Sequence, residues 1–119
     1  MLGWDIFISR QRDGGSAPAT FEAETGAALE RWSVHPWGLG WADNLAKAGE
    51  AIDLGGNGYP MRYTAQAKVL RHSRAIPLRL VWNQAPQALA GASPPVARKP
   101  SVYDCPPDEW LVVEAWDQS

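Results

Sequence analysis

Residues 109–116 read EWLVVEAW, and this run constrains the chain more than any other. Alternate residues of a strand point to opposite faces. One face would carry Trp110, Val112, Glu114 and Trp116, and the other Leu111, Val113 and Ala115. Both faces are largely apolar, so both need cover. A strand covered on both faces belongs in the middle of a sheet. Glu114 is the exception on its face. If that face is closed, the carboxylate needs a partner, because burying an unpaired charge is costly. An arginine from a basic part of the chain would serve. If the face is open, Glu114 is one acid in an aromatic groove. The paired, structural reading is preferred.

The rest of the chain supplies neighbours for that strand. WDIFISR (4–10) alternates, with Trp4, Ile6 and Ile8 on one face and Asp5, Phe7 and Ser9 on the other. DGGS ends it. Residues 17–26 have no clear period. ALERWSV (28–34) suits a short helix or a strand, and the alternation of Trp32 and Val34 with Arg31 and Ser33 favours strand. A helix is expected over 36–48. Pro36 suits its first turn, and Trp37, Trp41, Leu45 and Ala48 recur at helical spacing. Asp43 and Lys47 would pair on its far side, and Gly49 suits its end. Gly38 and Gly40 move the expected start toward Leu39. EAIDLGGNGYP (50–60) reads as a loop.

A second helix is expected over 61–76, with Tyr63, Ala67 and Leu70 on one side and Pro77 as its stop. PLRLVWNQ (77–84) reads as a strand. Residues 85–100, rich in proline and alanine, read as a long mobile loop. SVYD (101–104) reads as a short strand, and CPPDE as a turn. No internal repeat is visible. This order implies an α+β fold, a mainly antiparallel sheet of roughly three to five strands with two helices packed on one face.

Length and composition fit that fold. The 119 residues make a single globular domain over 1–119, large enough for a core without staples. Hydrophobic residues make up 45% and charged residues 20%, which excludes a disordered chain. No apolar run approaches the ~20 residues that span a bilayer. The N-terminus carries Asp5 in its apolar stretch and no basic region, so it does not read as a signal peptide. With the single cysteine Cys105, these features give the expectation of a reduced, cytoplasmic protein. Seven tryptophans are spread along the chain, and we read them chiefly as core rings rather than as a binding surface.

Charge is distributed unevenly. Residues 1–53 hold eight acids and four bases, 54–103 hold seven bases and no acid, and 104–119 hold five acids and no base. The segments either neutralise one another in the fold or the basic one faces an anion. Neutralisation is preferred.

The basic segment opens with LGGNGYPMRY (54–63). A glycine-rich turn leading into a helix aims backbone N–H groups at an anion, and the helix dipole adds to them. This makes Gly56, Asn57, Gly58, Tyr59, Arg62 and Tyr63 the candidate ligand-binding residues. The backbone at 56–58 would donate, Arg62 would contact the anion, and Tyr59 or Tyr63 would form an aromatic wall. No phosphate-loop or dinucleotide pattern is present. The competing reading is a plain turn with Asn57-Gly58 at its tip, and it is preferred. On the anion reading, Arg62→Ala lowers ligand binding and leaves stability nearly unchanged.

The run DLGGNGYPMRYTAQAK, with GWD at 3–5 and WDQS at the end, resembles a group of small bacterial proteins to which no activity is attached. The resemblance covers a minor part of the chain. It implies a shared single-domain fold and carries over no catalytic residue.

Catalytic patterns are sparse. Cys105 and His72 could be drawn together with an aspartate, and Ser33 with His35, but their spacing supports neither. The two histidines and one cysteine form no zinc pattern, the acids form no calcium loop, and no cofactor or metal is expected. Arg62, Arg71 and Arg74 with Tyr59 and Tyr63 would suit single-stranded nucleic acid, but the pI of about 5.6 weighs against it. The expectation is a small non-catalytic binding or interaction domain that holds a partner protein or a small anionic ligand. A homodimer is left open, and no membrane contact is expected. The alternative is a small hydrolase or transferase using an acid or His72 beside the glycine loop.

Overall fold

A computed structural model describes residues 3–73, 75–77 and 101–118. Its order is β1 (Trp4–Gln11), β2 (Thr25–Val34), α1 (Gly40–Lys47), β3 (Ala51–Gly56), β4 (Met61–Gln66), α2 (Ala67–His72), a 3₁₀ turn (Val102–Asp104) and β5 (Trp110–Asp117). The strands form one five-stranded antiparallel sheet in the order β2-β1-β5-β4-β3. The fold is α+β. β5 lies at the centre, as its two apolar faces require.

Ladder register assigns the faces. Phe7 pairs with Glu114, Ile8 with Val113, and Tyr63 with Val113. The inner face therefore carries Trp32, Ile6, Ile8, Leu111, Val113, Ala115, Tyr63 and Ala65. These pack with Leu39 and Ala42 near α1, with Ala67 and Leu70 of α2, and with Val102 and Cys105. Of the tryptophans, Trp4 and Trp32 are buried, Trp41 and Trp110 half-buried, and Trp37 and Trp116 exposed. Trp82 lies outside the described residues.

α1 begins at Gly40 with Leu39 as its N-cap, at the later start toward which the glycines moved the expectation rather than at Pro36, and Trp37 precedes it with 83% of its surface exposed. Asp43 turns toward the sheet, where its Oδ1 accepts the Tyr63 hydroxyl at 2.9 Å, so its charge is directed inward rather than at Lys47.

The expected helix over 61–76 is corrected. Met61–Gln66 is a strand, and the helix is only Ala67–His72. Met61, Tyr63 and Ala65 alternate with Arg62, Thr64 and Gln66, a period of two that the hydrogen-bonding edge of β5 selects. The helix starts where the turn before β5 supplies acceptors. The N–H groups of Ala67 and Lys68 donate to the carbonyls of Glu109 at 2.9 Å and Pro107 at 3.0 Å. The expected loop over 50–60 is likewise corrected, because Ala51–Gly56 pairs with β4 as β3. SVYD forms a 3₁₀ turn rather than a strand. Its Ser101–Asp104 capping box satisfies backbone N–H groups that a strand would have paired. The expected strand over 77–84 and loop over 85–100 lie almost wholly outside the described residues.

Candidate functional site

The outer face of the sheet carries the side chains that point away from the helices. Register arranges them in rows across the strands. One row runs Arg31, Phe7, Glu114, Arg62, and the next runs Ser33, Asp5, Trp116. A third, toward the opposite end, contains Ser9, Val112 and Thr64.

The third row is closed by residues 12–24, which cross the face as a strap. Each contact uses a polar group that would otherwise be orphaned. Thr64 Oγ1 accepts the Ala19 N–H at 3.2 Å and donates to the Leu111 carbonyl at 2.9 Å. Gln11 Nε2 donates to the carbonyls of Ala17 at 3.0 Å and Trp110 at 3.1 Å. The Trp110 N–H donates to the Gly15 carbonyl at 2.8 Å. Gly15 sits at φ +72°, and a Cβ there would fall 2.8 Å from the Trp110 carbonyl oxygen, so the strap lies this close only with glycine. Beneath it Ser9, Val112 and Thr64 are buried.

The strap ends over Arg62. This guanidinium donates to the carbonyls of Phe21 at 2.7 Å and Ala23 at 2.9 Å, and to Glu114 Oε2 at 3.0 and 3.1 Å. It also lies 5.9 Å from the Phe21 ring centroid. The two side chains keep only 15% and 13% of their surface in water, so the pair is largely desolvated. Glu114 thus has the arginine partner that its position demanded. Lys68 pairs with Asp108 at 3.0 Å, and Arg71 donates to the carbonyls of Val102 and Cys105. Two of the three described bases of this segment, Arg62 and Lys68, are thus paired with carboxylates of the acidic segment that follows it, and Arg71 is held by backbone carbonyls.

Beyond the strap the face is open. A groove of about 480 Å³ runs between Phe21 and Trp116 with Arg62 and Glu114 lining it, and Arg12, Glu22, Glu24 and Pro60 complete its walls. Phe21, Tyr59 and Trp116 expose 38%, 55% and 40% of their surface. Phe21 also lines a second depression with Leu54, Gly56, Asn57 and Tyr59, so the aromatic surface continues to the hairpin tip.

The glycine run forms that tip. It joins β3 to β4 and opens no helix. Gly56 has φ +123°, and a Cβ there would stand 2.3 Å from the Pro60 carbonyl oxygen, so the hairpin closes only with glycine. The Asn57 side chain accepts the Tyr59 N–H at 3.1 Å, and the Gly58 carbonyl accepts the Asp117 N–H at 2.8 Å. Gly56, Asn57 and Tyr59 share one depression. Arg62 lies on the outer face, engaged as described. Tyr63, the next residue of the strand, lies on the inner face and is buried. Burial and then its bond to Asp43 push the Tyr63 phenol well above its ordinary range. Sequence reasoning did not see the strap or Phe21, because residues 17–26 have no period and their partners are distant in the chain.

The remaining chemical candidates lie elsewhere. Cys105 is buried and its Sγ donates to the Ser101 carbonyl at 3.6 Å. Burial pushes its thiol up, which holds it protonated rather than as a nucleophilic thiolate. His72 is exposed at the end of α2, with Nδ1 2.6 Å from the Lys68 carbonyl oxygen. Among the described residues no group of three or more His, Cys, Asp and Glu stands ready to hold a metal ion, and no helix is long and apolar enough to cross a membrane. Comparison of the chain with known protein families, curated proteins and solved structures gives no match.

Proposed function

We propose that this chain is a non-catalytic interaction domain that takes a partner protein on the open half of its outer sheet face. The observation that carries this reading is the groove between Phe21 and Trp116, extended by Tyr59 at the hairpin tip. Rings exposed around a fixed polar floor give a partner large apolar area at small entropic cost. The Arg62–Glu114 pair is already satisfied, so covering it leaves no uncompensated charge. Arg62 serves here as floor rather than as an anion contact, since four hydrogen bonds occupy it. Cys105, buried with a raised thiol, and His72, exposed at the end of α2, both lie outside the lining of this groove.

Native mass spectrometry of the protein purified from its own host tests this. The expected result is a protein complex with the wild-type chain and its loss in a folded Tyr59→Ala, Trp116→Ala variant. A complex that survives both substitutions, or a small anion as the bound species, would overturn the reading.

A further inference from the structure

The row beyond Glu114 contains a smaller and more particular site. Asp5 pairs across the ladder with Trp116, and Phe7 pairs with Glu114. Two carboxylates and two rings therefore occupy alternate corners of one four-residue patch, and together they line a depression of about 440 Å³. Both carboxylates are held in place. Asp5 Oδ1 accepts the Ser33 hydroxyl at 2.5 Å, and Arg31 stands 3.8 Å from Oδ2. On Glu114 both arginine contacts fall on Oε2, and among the described residues no hydrogen bond reaches Oε1.

The same face twice shows what such an arrangement accepts. The Arg31 guanidinium lies 5.2 Å from the Phe7 centroid beside Asp5, and Arg62 lies 5.9 Å from the Phe21 centroid beside Glu114. Each is an arginine set between a ring and a carboxylate. Among the described residues Trp116, whose indole is the best ring for this interaction, carries no such cation. An apolar plug over the patch would take water from acceptor positions still open, on Glu114 Oε1 and on Asp5 Oδ2, whose arginine stands 3.8 Å away, although both charges have partners. A planar guanidinium stacked on the indole would satisfy both.

We infer that an arginine side chain of the partner protein docks over Trp116, with Asp5 and Glu114 as its flanking acceptors. This rests on the interaction reading above and names the chemistry of its anchor. The shape and charge of the patch choose arginine over an apolar or acidic side chain. Lysine offers the charge without the plane.

The test uses the full chain and a blocked pentapeptide with one arginine among glycines, followed by NMR at the Trp116 indole N–H. The expected result is a saturable shift at Trp116 and at the Asp5 and Phe7 amides, diminishing as salt is added. The counterpart peptide carrying neutral citrulline binds at least about tenfold more weakly. Asp5→Asn removes most of the shift at the Trp116 indole, and Trp116→Leu removes most of it at the Asp5 and Phe7 amides, while the amide pattern around Val112 stays in place. Equal binding of the citrulline peptide, or no saturable shift, overturns the inference. If the peptide fails and the Tyr59, Trp116 variant still loses its partner, the face binds by another chemistry and only this inference falls. If that variant keeps its partner, the interaction reading falls as well.

Discussion

Val112 and Trp116 lie four residues apart on the same face of the same strand, yet one is fully buried and the other exposes 40% of its surface. The strands beneath them are the same. The difference is the strap, whose carbonyls and N–H groups find Thr64, Gln11, Trp110 and Arg62 and then turn away at residue 24. One end of the face becomes a second, small core, and the other stays available. The fate of a sheet face is thus decided here by a connection that has no regular structure of its own.

Substituting both positions with the same residue gives the largest test. Val112→Asp puts a carboxylate under the strap with no cation provided for it, at an expected cost of about 3 kcal/mol or more. Trp116→Asp on the open half should cost less, about 1–2 kcal/mol, because the new charge stays in water even though it faces Asp5 across the ladder and the ring's partial burial is lost. Denaturant unfolding of the two variants measures the contrast. Equal losses would mean that the strap does not seal its half.

Arg62→Ala comes next. The substitution removes four hydrogen bonds, strands a mostly buried Glu114 and frees the end of the strap. A loss of about 2–4 kcal/mol is expected, placed below the full value for a buried pair because both groups keep some contact with water. The expectation from sequence, in which stability stays nearly unchanged, gives way to this one. Unfolding midpoints with and without the substitution decide between them. Thr64→Val is smaller. It keeps the shape but leaves the buried Ala19 N–H without an acceptor, at about 1–3 kcal/mol. Hydrogen exchange at Ala19 should quicken while exchange within β1 and β5 changes less.

What the chain revealed in advance follows the same division. β1, β5 and the central place of β5 were legible because alternation over eight residues leaves few other readings. The need of Glu114 for an arginine was legible too, since burial of charge is a local demand, but nothing local chose Arg62 among seven bases. The β3–β4 hairpin was hidden because MRYTAQAKVL fits a helix nearly as well as a strand, and only the edge of β5 separates the two at Gln66. The strap was hidden for a related reason. Its hydrogen bonds to β4 join residues about 40 positions apart, such as Ala19 with Thr64 and Phe21 with Arg62, and no local window of sequence contains both partners. Of the candidate residues, Gly56, Asn57 and Tyr59 do share one depression, while Arg62 and Tyr63 part to opposite faces because neighbours in a strand must.

The smallest effect belongs to the open half, at Asp5. The Ser33 hydroxyl, opposed by partial burial and helped by Gln118 and Arg31, holds its carboxyl below the usual range. A carboxylate whose folded value is depressed stabilises the fold fully above its unfolded value. That contribution fades as pH falls through the window between the unfolded value and the lower folded one. Ser33→Ala removes the largest cause, so the Asp5 midpoint should rise toward the ordinary carboxylate value and the acid-side stability should shrink with it. Carbon-detected NMR titration of the side-chain carboxyl reads the midpoint directly. A midpoint that stays low in the variant would assign the effect to Gln118 and to Arg31 at 3.8 Å. The open half would then be organised by those two side chains rather than by the hydroxyl in the neighbouring strand.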